Sequence, residues 1–159
     1  MRVVLLLCMT MFSLQLFSQR EADSTYSRCP VALTDTTTGN NYFIEHLPAS
    51  VKTYRNHGNF TVVIEQKNQF LTIFFHARKL STKGKYSIGV GETGRNEVTA
   101  KYSFRSGESV AYLDVSSGKV ETSYDKSTKL WHIKLTGLVA NMGDTKVTYF
   151  KMKADLFLR

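Results

Sequence analysis

From Tyr42 onward, apolar and polar side chains alternate along short segments that are rich in Val, Ile, Thr, Phe and Tyr. A period of two places alternate side chains on opposite faces of a β-strand. In four segments one face is apolar and the other polar, which is typical of an antiparallel sheet with one buried face. The residues predicted to face inward are Phe60, Val62 and Ile64; Val98, Ala100, Tyr102 and Phe104; Trp131, Ile133 and Leu135; and Phe150, Met152, Ala154 and Leu156.

The whole pattern predicts an all-β domain with hairpin connections. The nine predicted strands are 42–46, 59–66, 69–78, 85–90, 97–105, 109–115, 119–124, 129–136 and 146–157. Turn residues separate them at Lys67-Asn68, Ser106-Gly107, Ser116-Ser117-Gly118 and Asn141-Met142-Gly143-Asp144. We expect an antiparallel β-sandwich. A lipocalin-like closed β-barrel is the alternative, with a pocket lined by Phe60, Phe74, Tyr102, Phe104 and Trp131.

The N-terminus has the pattern of a secretory signal peptide. Arg2 precedes an apolar run over 3–17, and the small residue Ser18 ends it. We expect a signal peptide over 1–18, a polar irregular arm or tether over 19–40 and the all-β domain over 41–159. The predicted location is secreted, periplasmic or at the outer cell envelope, with no transmembrane span after signal cleavage.

Composition narrows the class further. The chain has 159 residues, 42% of them hydrophobic, which favours one globular domain and excludes a disordered chain. Its two cysteines are too few for a disulfide-stapled mini-protein or a cysteine-based zinc module. Cys8 lies within the predicted signal peptide, and we expect Cys29 to be a partly exposed thiol without a structural role.

No motif in the chain predicts catalysis. Gly89, Gly91 and Gly94 spell a dinucleotide-type glycine pattern, but a strand follows instead of a helix, which indicates a hairpin loop. The four histidines are scattered, and there is no nucleophile elbow. We therefore predict no catalytic residue, no metal and no cofactor. A hydrolase using His76 or His132 stays an open alternative.

The segment Phe70–Ala77 is apolar on both faces, so its second face needs cover. A central strand covered by the N-terminal arm or by a long loop would satisfy this. A contact surface for a ligand or partner is the other explanation, because soluble monomers seldom expose a large apolar patch. The candidate binding residues are Leu71, Ile73, Phe75 and His76.

The positive charge suggests what such a surface could meet. The formal net charge is +8, and it is +7 without residues 1–18. The bases are dispersed and the chain is predicted to be exported, so we do not expect a nucleic-acid partner. The predicted partners are an envelope protein, an anionic glycan or a small apolar ligand.

The C-terminal part of the chain carries a serine-glycine-lysine hairpin followed by two strands. It comprises the stretch 112–122, the segment Leu130–Gly137 and the closing strand to Leu158. In this the chain resembles small secreted β-sandwich domains of unknown function from Bacteroidota envelopes. The resemblance implies a β-sandwich and supplies no catalytic residue. The predicted function is a non-catalytic binding or interaction module at the cell envelope; a lipocalin-like carrier of a small apolar ligand is the alternative.

Overall fold

The computed structural model describes residues 21–27, 31–42, 49–90, 94, 96–142 and 146–159. These residues form ten strands and no helix, so the prediction of an all-β protein is confirmed. The strands are β1 (Glu21–Ser27), β2 (Val31–Asp35), β3 (Ala49–Asn56), β4 (Asn59–Gln66), β5 (Gln69–Phe75), β6 (Lys83–Ile88), β7 (Glu97–Ser106), β8 (Ser109–Asp125), β9 (Leu130–Met142) and β10 (Val147–Leu158). The predicted signal peptide at 1–18 and Cys29 lie outside the described residues.

All ten strands belong to one sheet, in the order β1-β3-β4-β5-β7-β6-β8-β9-β10-β2. Every pairing is antiparallel except that of β6 with β7, which is parallel over two residue pairs. At one end of the sheet β6 separates β7 from β8, and at the other end β7 pairs with β8 directly. The sheet is therefore mixed.

The strand order requires the sheet to curl. β1 and β2 lie at its opposite edges, yet only residues 28–30 connect them along the chain. Four steps between consecutive Cα atoms span at most about 15 Å, so the two edges must approach each other. In agreement, β1 also approaches β10, the neighbour of β2. The result is a half-barrel with its core on the inside of the curl.

The core contains the residues that the alternation predicted to face inward. Val62, Ile64, Val98, Ile133 and Leu156 are fully buried. Of the same sets, Phe104, Trp131 and Phe150 are partly buried and pack against this core. The alternation alone predicts which side chains of these strands face inward, because one face of each strand is buried away from water.

Three expectations about the elements need correction. The irregular arm predicted for 19–40 contains β1 and β2, and β2 buries Val31 and Leu33 against the core. β3 was not predicted, and of the predicted strand 42–46 only Tyr42 lies within the described residues. The turns at Lys67-Asn68 and after Ser106 are confirmed.

The third correction concerns the predicted hairpin at Ser116-Ser117-Gly118. The chain does not reverse there, and β8 continues through it as one strand of 17 residues. Its pairing with β9 shifts register between Val115 and Ser117, which marks a β-bulge. The bulge lies where β8 changes its partner from β7 to β6.

Candidate functional site

A cavity of about 960 Å³ opens at one end of the curled sheet. Its walls come from the end of β3, the start of β4, the connection between β5 and β6, the start of β9 and the end of β10. In an antiparallel sheet the start of each strand lies beside the end of its neighbour, so these segments meet at the same end of the sheet. The cavity lies within the range of about 300 to 1,000 Å³ that is usual for small-molecule sites.

The β3–β4 hairpin forms one wall. Asn56 pairs with Asn59, which leaves a two-residue turn of His57 and Gly58. Both have positive φ, 46° and 90°, as a type I′ turn requires. This turn fixes the register of the hairpin and so places Arg55 and Phe60 directly opposite each other.

Two guanidinium groups lie along this hairpin. The Cζ atom of Arg55 is 5.5 Å from the centre of the Phe60 ring, which is a cation–π contact. Arg78 runs beside the turn, since a Cβ atom on Gly58 would lie 3.8 Å from its Nε. Both side chains line the cavity.

The β5–β6 connection forms another part of the wall and is fixed by hydrogen bonds at Ser81 and Thr82. The Ser81 amide donates to the Tyr86 hydroxyl at 3.2 Å, and the Ser81 carbonyl accepts from the Thr122 hydroxyl at 2.7 Å. The Tyr124 amide also donates to the carbonyl of Thr82 at 3.1 Å. These bonds hold Leu80 and Thr82 at the cavity.

The apolar part of the lining comes from Phe60, Leu80, Trp131 and Leu158. Trp131 lies opposite Leu158 across the β9–β10 pair, and its ring centre is 5.0 Å from that of Tyr124. Phe60 and Leu158 are almost fully buried, so the wall is continuous with the core. Phe60 and Trp131 are also two of the five residues expected to line a barrel pocket.

The charged side chains of the described lining are all basic. Arg55, Arg78, Lys79 and Arg159 contribute cations, and no Asp or Glu is among the described lining residues. None of the four forms an ion pair with an acid whose side chain the structure describes. Asp125 ends β8, and its carboxylate accepts hydrogen bonds from Ser127 and Thr128 of the following turn. Those bonds lower the pKa of Asp125 to about 2.

The predicted contact residues lie elsewhere. Leu71, Ile73 and Phe75 are at most 1% exposed, so they belong to the core and do not form an exposed contact face. The second face of β5 is the half-buried one, where Phe74 lines a smaller groove of about 280 Å³. The other lining residues are Tyr54, Arg55, Asn56, Thr61, Val63 and Thr72, of which Arg55 and Asn56 also line the end cavity. Phe74 is therefore on the opposite face from the expected barrel pocket.

The fourth candidate, His76, follows the end of β5 and does not line the cavity. Its Nε2 atom is buried and has no hydrogen-bond partner among the residues described. His132 contacts Asp155 through Nε2 and stacks on Phe157, with ring centres 4.3 Å apart. In the described part of the chain no Ser or Thr hydroxyl bonds to either ring, so this geometry gives the hydrolase alternative no support.

Sequence reasoning did not single out the basic residues of the cavity, because they are scattered between positions 55 and 159. The available signal was local: Arg55 precedes a turn and Arg78-Lys79 follows a strand. Only the strand order brings these positions to one end of the sheet.

The described ranges contain no group of three residues that could hold a metal ion. They also contain no helix with the length and hydropathy that crossing a membrane requires.

The fold and the cavity define an all-β protein with a basic, partly apolar end cavity. Comparisons with protein-family models, with curated proteins and with solved structures find no match to this chain.

Proposed function

We propose that this chain is a non-catalytic binding domain exported to the cell envelope, and that the end cavity is its ligand site. The observation that carries the proposal is the cavity of about 960 Å³, which joins an apolar wall to the core of the curled sheet. The export step rests on the apolar run over 3–17, and the likeness to Bacteroidota envelope domains is part of the same proposal.

Between the two binding modes, the geometry supports a lipocalin-like carrier better than a protein-docking face. Leu71, Ile73 and Phe75, the residues expected at a docking face, are buried. A sheet whose edges approach each other is also what a barrel-type carrier needs. Trp131 supplies an apolar surface that a small ligand could contact directly.

The test uses a neutral apolar dye, N-phenylnaphthylamine, and the fluorescence of Trp131, the one tryptophan in the chain. We expect saturable binding that changes the Trp131 emission. Thr53→Phe, which adds a ring to the cavity lining, should abolish this change. Thr136→Phe, on the exposed face of β9, should leave it intact. Equal binding by both variants, or no binding by the natural chain, would overturn the proposal.

A further inference from the structure

We infer that the end cavity selects an anionic amphiphile, a molecule with a carboxylate, sulfate or phosphate head and an apolar tail. This inference rests on the proposed function, because it names the ligand class of the same cavity. The observation behind it is the convergence of four basic side chains on a cavity that also has an apolar wall.

Four basic side chains, those of Arg55, Arg78, Lys79 and Arg159, converge on this one cavity. Among the residues whose side chains the structure describes, none of the four has an ion-pair partner, and the described lining includes no Asp or Glu. A ligand anion would therefore meet unneutralised positive charge here.

Both arginines lie near the β3–β4 hairpin. Arg55 lies over the Phe60 ring, and Arg78 passes close to Gly58. A guanidinium presents its N–H groups in a planar fork that matches a carboxylate, sulfate or phosphate with two parallel hydrogen bonds.

The remaining surface of the cavity calls for an apolar group. Leu80 and Trp131 are only partly buried, and an inorganic anion would leave them in contact with water. A purely apolar ligand would cover the apolar wall but would leave the basic side chains without an anionic partner. A molecule with both parts satisfies both kinds of surface, and burying its tail removes apolar area from water.

The experiment compares probes that share one tail and differ in the head. Dodecanoate, dodecyl maltoside and dodecyltrimethylammonium are titrated into the full chain below their micelle concentrations, with Trp131 emission as the readout. Inorganic phosphate and acetate serve as heads without a tail. We expect dodecanoate to bind about tenfold or more tightly than the maltoside, with the cationic probe weakest, because charge-assisted hydrogen bonds add to the tail contact. Its advantage should shrink as ionic strength rises.

Matched variants locate the effect. Arg55→Gln and Arg78→Gln should each weaken dodecanoate binding about fivefold to tenfold and leave dodecyl maltoside unchanged. Arg105→Gln makes the same charge change at the far end of β7, outside the cavity, and should change neither. Thermal unfolding of each variant verifies that the fold is intact.

The outcomes separate the two proposals. If the three dodecyl probes bind equally, the cavity binds ligand but the inferred head selectivity is wrong. If Arg105→Gln weakens dodecanoate as much as Arg55→Gln, or if phosphate alone binds as tightly as dodecanoate, the inference is also wrong. If no probe changes Trp131 emission, the proposed function fails together with it.

Discussion

Gly118 of β8 and Gly137 of β9 lie directly opposite each other across the sheet, and neither has room for a side chain. A Cβ atom on Gly118 would lie 2.2 Å from the carbonyl oxygen of Thr136, and one on Gly137 would lie 2.4 Å from Cγ1 of Val115. The pair thus allows two backbones to pass closely where β8 carries its bulge. Gly118 also has a φ of 147°, which L side chains rarely adopt.

We expect Gly118→Ala and Gly137→Ala each to lower the free energy of unfolding by at least about 2 kcal/mol, because backbone or core atoms must move. Gly39→Ala is the control, since its φ is 74° but no atom lies within 4 Å of the added Cβ. That change should cost only about 1 kcal/mol. Urea denaturation measures all three, and equal losses would show that the close approach carries no cost of its own.

The burial of Phe75 and the partial exposure of Phe74 distinguish the two faces of β5. Phe75→Ala should lower the free energy of unfolding by about 3 to 5 kcal/mol, because it leaves a cavity in the core. Phe74→Ala, on the other face, should cost about 1 to 2 kcal/mol. Chemical denaturation of both variants tests this, and a larger loss for Phe74→Ala would contradict the assignment of faces.

Asp125 links stability to acid pH. Its pKa is about 2 in the folded chain, below the ordinary value of 3.8, because Ser127 donates two hydrogen bonds to the carboxylate and Thr128 another. A depressed folded-state pKa contributes stability above pH 4, and this contribution is lost as pH falls from about 4 to about 2.

Ser127→Ala removes one of these donors, so we expect the pKa of Asp125 to rise toward 3.8. Carboxyl titration by NMR measures it directly. The variant should also lose less stability than the natural chain between pH 4 and pH 2. An unchanged pKa would show that the Ser127 hydroxyl does not hold this carboxylate.

Tyr102 gives the corresponding effect at alkaline pH. Burial raises its pKa from 10.0 to about 12, and its hydroxyl donates to Oε1 of Gln69 at 2.7 Å. A phenol whose folded-state pKa is raised stabilises the fold below pH 10 and loses that contribution as pH rises from 10 to 12.

Tyr102→Phe should therefore remove one late step from the tyrosinate absorbance titration. It should also lower the free energy of unfolding near neutral pH by about 1 kcal/mol, since a hydrogen bond is lost. Tyr112→Phe, at a site 68% exposed, is the control and should affect stability little. A titration with the same late step in the Tyr102→Phe variant would assign that step to another tyrosine.

The sequence by itself determined the class of structure and the facing of most strands. Alternation oriented β4, β7, β9 and β10 correctly, because one buried face imposes a period of two wherever it occurs. Turn chemistry located the β4–β5 and β7–β8 hairpins. The same signals wrongly predicted a chain reversal at Ser116-Ser117-Gly118, because a glycine with positive φ occurs in β-bulges as well as in turns.

Tertiary structure alone decided where the strands meet and hence where a ligand could bind. β2 looked like part of a polar arm, since its short run Val31-Ala32-Leu33 becomes a core strand only when it pairs with β10. Arg55, Arg78 and Trp131 are up to 76 residues apart in the chain and share a cavity only because the strand order returns them to one end of the curled sheet. Local patterning records whether a side chain faces the core, whereas pairing between distant strands sets which residues become neighbours.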